Sequence, residues 1–282
     1  MGHEQVYIDP KSDFGFKKVF GDIKNQSIIA SFLNSVLVDK KIKKIESVSI
    51  DDPNNSAFAA DLKASIVDVR CSDRYGNHYQ IEMQATKQRD FAQRCQFYTA
   101  HFVSNQLKSG DKYKKIERII LISILDFNFS KSPDFLNHHL TINPKNQEHL
   151  LDLVEYYFLE LPKFTKSKSE LKTEIDRWFH FLKIASECIR IPGELSQDTD
   201  IVDAFTTLQE ATWSQEERAR YIRYQDAERS AKSMLETAHE DGIEKGKIEE
   251  KIEIAKNLLD VLDKETIAKK TGLSIEEIEK LK

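Results

Sequence analysis

The chain has 282 residues, of which 40% are hydrophobic, 32% charged and 10% aromatic, with a formal net charge of −5. That excludes a disordered or collagenous chain, and nine glycines with six prolines leave little room for long flexible linkers. No run approaches the roughly 18 apolar residues of a membrane span, no export signal opens the sequence, and Cys71, Cys95 and Cys188 are too scattered for a disulfide framework or a zinc site.

The expectation is therefore a soluble, unexported protein of the reducing cytoplasm without membrane association. Up to residue 130 the chain carries 19 basic against 16 acidic residues, and beyond it 23 against 31. A polyanion partner suits the first part better than the second.

In SDFGFKKVFG, Ser12 or Asp13 can cap a short helix carrying Phe16 and Phe20, with Gly21 as its stop. Apolar residues recur at helical spacing over 25–38. IESVSI (45–50), SIVDVR (65–70) and HYQIEMQ (78–84) read as strands, the last two joined by the turn-rich CSDRYGN into a hairpin. Residues 90–108 return to helical spacing, with Phe91, Cys95, Tyr98 and Phe102 on one stripe. RIILISIL (118–125) is a continuous apolar octet and fits a strand covered on both faces. This order implies an α/β layer of about four strands.

After residue 126 the signals become loop-like, with His138 and His139 in a loop, and then helical. LLDLVEYYFLELPKF, ELKTEIDRWFHFLKIASE and DIVDAFTTLQEATWSQEERARYIRYQDAERS read as successive helices, with Trp178, Phe179 and Phe181 as helix core. The tail holds a charged helix with Gly242 and Gly246, then two short helices joined at Thr271-Gly272-Leu273 with Ser274 and Glu277 as a capping box. The second of these carries three glutamates, which suits protein contact better than DNA reading. Three regions follow: an α/β core over 1–128, a mainly helical extension packed on it over 129–230, and the charged helix with its helix-turn-helix-like tail over 231–282.

The hairpin carries the chemistry. With the turn centred on Tyr75, facing residues have numbers summing to 150, which sets Asp68 opposite Glu82. Alternation puts Ile81 and Met83 toward the core and leaves Glu82 and Gln84 on the Asp68 side. Two carboxylates so placed repel each other unless a cation lies between them, and Mg²⁺ or Mn²⁺ with the Met83 carbonyl as a further ligand satisfies that need. Taken alone, the pair also reads as ordinary surface acids, and Asp61 is a rival ligand if the register differs. No HExxH, GxSxG, P-loop or dinucleotide fingerprint is present, and His78 flanks the hairpin without metal-ligand spacing.

SDFGFKKVFG, SIVDVR, the turn with Gly76, YQIEMQA and the helix with RCQFY, followed by LELPKF, DRWFHFLK and a glycine-bearing charged tail, occur here in an order that resembles the Rpn family of recombination-promoting nucleases, also described as PD-(D/E)XK nuclease family transposases. The resemblance covers nearly the whole chain. It implies a restriction-endonuclease-like αβββαβ core with an all-helical C-terminal extension, and Mg²⁺-dependent cleavage of DNA linked to recombination, mobile elements or phage defence. It makes Asp68 and Glu82 metal-binding acids, with Gln84 where the wider superfamily has lysine. An amide can orient water or phosphate but brings neither positive charge nor proton chemistry, so a catalytically weak or inactive DNA-binding or interaction module is the alternative reading.

Asp13, Lys17, Lys18, Arg94 and Tyr98 are the further candidates for contacts to DNA, set against an N-cap role for Asp13 and a solvated helix face for the lysines. Lys87 and Arg89 read as solvated charges. Self-association through the C-terminal helices would bring two nuclease cores together.

Overall fold

The computed structural model describes residues 6–37, 43–50 and 69–281. They form two compact units, one up to Ser214 and one from Gln215. Among the described residues are eight α-helices and a mixed sheet of six strands.

The first unit opens with α1 (Asp13–Phe20), capped by Ser12, whose hydroxyl accepts the Gly15 N–H at 3.1 Å. It continues with α2 (Gln26–Val36), β1 (Val48–Ile50), β2 (Val69–Asp73) and β3 (His78–Gln84). Next come α3 (Phe91–Asn105) and β4 (Ile119–Leu125). β5 (Leu136–Thr141), β6 (Leu151–Glu160), α4 (Glu174–Ile184) and α5 (Thr199–Leu208) complete it. The sheet order is β1-β2-β3-β4-β6-β5, with β3, β4 and β6 mutually parallel and the remaining pairs antiparallel.

All seven residues of β4 are buried, as its unbroken apolar run requires of a central parallel strand. On one face Leu121 and Leu125 pack with Phe158 of β6 beneath Phe91 and Cys95 of α3. The helices around α2 and α4 share an aromatic core in which Trp178 meets Phe20 at 5.9 Å and Phe32 at 5.6 Å between ring centres. Phe181 and Trp178 are fully buried, the core role their helix implies.

The α/β class with a helical extension stands, but two elements differ from the sequence reading. LLDLVEYYFLELPKF is a strand, β6, rather than a helix, and His138 and His139 lie in its partner β5 rather than in a loop. The second half of β6 is covered on both faces and so loses the alternation that identifies strands, and aromatic residues then favour the extended state only through the neighbours they pair with. The charge within it is neutralised: Glu155, fully buried, is bonded by Arg118 and by His138 at 3.0 Å, and His138 stacks on Tyr157 at 4.0 Å. Burial alone would raise the Glu155 carboxyl, but His138 and Arg118 hold it below the usual carboxylate range.

The second unit begins with α6 (Gln215–Leu258), followed by α7 (Lys264–Thr271) and α8 (Ile275–Glu279). Gly272 ends α7 with a left-handed φ of 73°, and Ser274 and Glu277 form the expected capping box. Ala255, Ile267, Leu273 and Ile278 make a small core that ties α7 and α8 to the end of α6. Among the described residues no helix is long and apolar enough to cross a membrane.

Candidate active site

The β2–β3 hairpin is built by its turn. Gly76 adopts φ +83°, a conformation that favours glycine, and Asp73 gathers the chain around it. Asp73 Oδ1 accepts the N–H groups of Tyr75 at 2.8 Å and Asn77 at 3.0 Å, while Oδ2 accepts Asn77 Nδ2 and the Tyr79 hydroxyl, each at 2.8 Å. Burial would raise this carboxyl, but the bonds from Asn77, Tyr79 and Tyr75 hold it below its ordinary value. Fixed in this way, the strands pair Val69 with Ile81, Arg70 with Gln80, Cys71 with Tyr79 and Ser72 with His78. Every pair sums to 150, the register read from the sequence. Asp68 lies outside the described residues, as does its rival Asp61.

Glu82 sits deep, 3% exposed, on the face of β3 covered by α3. Its Oε1 accepts the Ser123 hydroxyl at 2.6 Å from the adjacent strand β4, and the Cys95 thiol of α3 points to the same atom at 3.9 Å. Burial foremost, then the Glu82 carboxylate, pushes the Cys95 thiol up to about 12. Ile81 and Met83 are buried on the opposite side of the strand, as alternation requires. Gln84, half-buried at the end of β3, accepts the Asp126 N–H at 3.0 Å through its carbonyl. Since successive carbonyls of a strand point to opposite edges, that of Met83 is turned away from β4, toward the β2 side.

The other candidates divide. Lys11 donates to Asp126 at 3.0 Å, which brings the start of α1 to the Gln84 end of β3. Burial alone would lower the Lys11 ammonium, but Asp126 and Asp9 hold it above its ordinary value. The sequence reading passed over Lys11; its place two residues before the start of α1 was the only signal. Asp13 and Lys17 pair with each other at 2.7 Å on the half-exposed surface of α1. Asp13 does not cap the helix, because Ser12 does. Lys18 lies over the Trp213 ring at 5.5 Å.

On α3, Thr99 meets the Tyr156 hydroxyl of β6 at 2.9 Å, so helix rotation sets Arg94 and Tyr98 on the flank away from β6. Both are half-buried, and Arg94 Nε is buried without a hydrogen-bond partner among the described residues. The buried stripe of α3 is Phe91, Cys95, Thr99 and Phe102, so Thr99 takes the place expected of Tyr98, which lies at its margin. Lys87 is exposed, as expected of a solvated charge, and also donates to the Asn128 carbonyl at 3.3 Å.

Among the described residues no group of three or more His, Cys, Asp or Glu could hold a metal ion. The donor set nevertheless suits a hard cation. Glu82 Oε1 is held by a neutral hydroxyl, that of Ser123, and a carboxylate with a backbone carbonyl is the oxygen chemistry that Mg²⁺ takes.

A family model described as PD-(D/E)XK nuclease family transposase matches residues 10–238. No curated protein and no solved structure matches the chain.

Proposed function

From the premise that this chain belongs to the PD-(D/E)XK nuclease family transposases, we propose that it is a divalent-metal-dependent DNA endonuclease whose metal-binding acids are Asp68 and Glu82. The observation that carries the reading is Glu82, a carboxylate buried at the centre of the sheet and held by Ser123, on a hairpin whose register agrees with the pairing on which the two acids were matched.

Asp68, Glu82 and the Met83 carbonyl would hold Mg²⁺ or Mn²⁺. Once bound, such a cation polarises a phosphodiester and lowers the pKa of a water molecule. Gln84 orients that water or a phosphate oxygen through its amide, which accepts one hydrogen bond and donates others but takes no proton. Arg94, with its unpartnered Nε, and Tyr98 serve phosphate contact from the flank of α3, and Asp13, Lys17 and Lys18 line the approach on α1. The partner is DNA, and self-association through the C-terminal helices would present two sites to the two strands of a duplex. A cytoplasmic setting and a role in recombination, mobile elements or phage defence belong to the same proposal.

The test is nicking of supercoiled plasmid with and without Mg²⁺. Asp68→Asn and Glu82→Gln should each abolish it in folded protein. Cleavage that survives both substitutions, or that persists in chelator, refutes the proposal. The glutamine at position 84 favours a second reading, a DNA-binding module without activity. That protein would retard DNA in a gel yet leave the plasmid intact.

A further inference from the structure

We propose that Ser123 is a positioning residue, whose hydroxyl fixes the Glu82 carboxylate in the orientation in which it holds the divalent cation. The inference rests on the nuclease reading above and adds to it a residue on a strand that carries none of the motif.

The octet RIILISIL contains a single uncharged polar side chain, and it falls in the middle of the central strand, fully buried. A hydroxyl in such a place is costly unless it is bonded. Its partner is specific: the parallel register sets Ser123 directly beside Glu82, and the hydroxyl donates to Oε1 at 2.6 Å. The same face of β4 is otherwise aliphatic, Ile119, Leu121 and Leu125, and the two leucines pack beneath α3. The Cys95 thiol, at 3.9 Å from the same oxygen, is a weaker donor.

A glutamate side chain has three rotatable bonds, and holding one oxygen against a rigid strand narrows them to the few rotamers that satisfy the bond. An ionised carboxylate offers about four lone-pair sites, so accepting the hydroxyl leaves capacity for a cation. Outer partners of this kind orient metal ligands, and their removal typically weakens binding by about 10- to 100-fold.

A purely structural serine would affect stability alone, so the deciding readout is metal affinity without DNA. Titration calorimetry of the full chain with Mn²⁺ should show binding weakened about 10-fold or more by Ser123→Ala. Threonine and valine are close in size and differ in the hydroxyl, so Ser123→Thr should bind Mn²⁺ more tightly than Ser123→Val, and this pair decides the matter if the alanine variant does not fold. Should Ser123→Ala or Ser123→Val bind as the wild type does while Glu82→Gln loses the metal, the positioning role is refuted and the nuclease reading stands. Wild-type affinity in both Glu82→Gln and Asp68→Asn, or a wild-type chain that takes up no Mn²⁺, removes the reading itself and this inference with it.

Discussion

Replacing Asp73 by alanine removes four hydrogen bonds at the turn that sets the hairpin register. Three of them come from Tyr75 and Asn77 at the tip of the hairpin, where water can substitute. The fourth comes from Tyr79, a fully buried residue, and its hydroxyl would be stranded. An unsatisfied buried donor costs about 1–3 kcal/mol, so about 2 kcal/mol for Tyr79 and about 1 kcal/mol for the loosened turn give about 3 kcal/mol for Asp73→Ala.

Tyr79→Phe alone should cost about 1.5 kcal/mol. The double variant should cost less than the two singles combined, by about 1–2 kcal/mol, because removing both partners strands nothing. Urea unfolding followed by circular dichroism measures all four proteins. Additivity within about 0.5 kcal/mol would refute the account. The pH dependence has a defined sign: the carboxyl is held below 3.8, so its contribution is complete above that pH and is lost as the pH falls through the lower folded value. The advantage of the wild type over Asp73→Ala should shrink only below about pH 4.

Glu155→Ala should destabilise the first unit by about 3–5 kcal/mol, since Arg118 and His138 would be left facing a buried site without their anion; an unchanged urea midpoint would contradict this. In a thiol-labelling experiment at pH 8, Cys95 should stay unreacted until denaturant is added, because burial and Glu82 push its thiol up to about 12, whereas the half-exposed Cys188 should label first. Rapid labelling of Cys95 in native protein would mean that α3 does not cover Glu82.

Much of the site was legible because a hairpin is a local object. The turn residues between Asp73 and Gly76 dictate the register, and alternation then fixes which side chains stand with Glu82. Ser123 was hidden for the opposite reason: it is about 40 residues away in the chain, and its meaning appears only when β4 is laid in parallel beside β3. β6 escaped recognition because its character comes from its neighbours, Glu155 included, whose partners lie on β5 and at the entrance of β4. Asp13 illustrates a competition between adjacent polar residues, in which Ser12 took the cap and left the acid to Lys17.

The strand order has a kinetic corollary. The β2–β3 and β5–β6 hairpins close short loops and can form early, but neither is joined to the other except through β4, which pairs in parallel with partners about 40 residues upstream and downstream. Docking of that one segment should therefore be the slow, entropically demanding event of folding, and until it happens both hairpins would present a hydrophobic rim to the solvent.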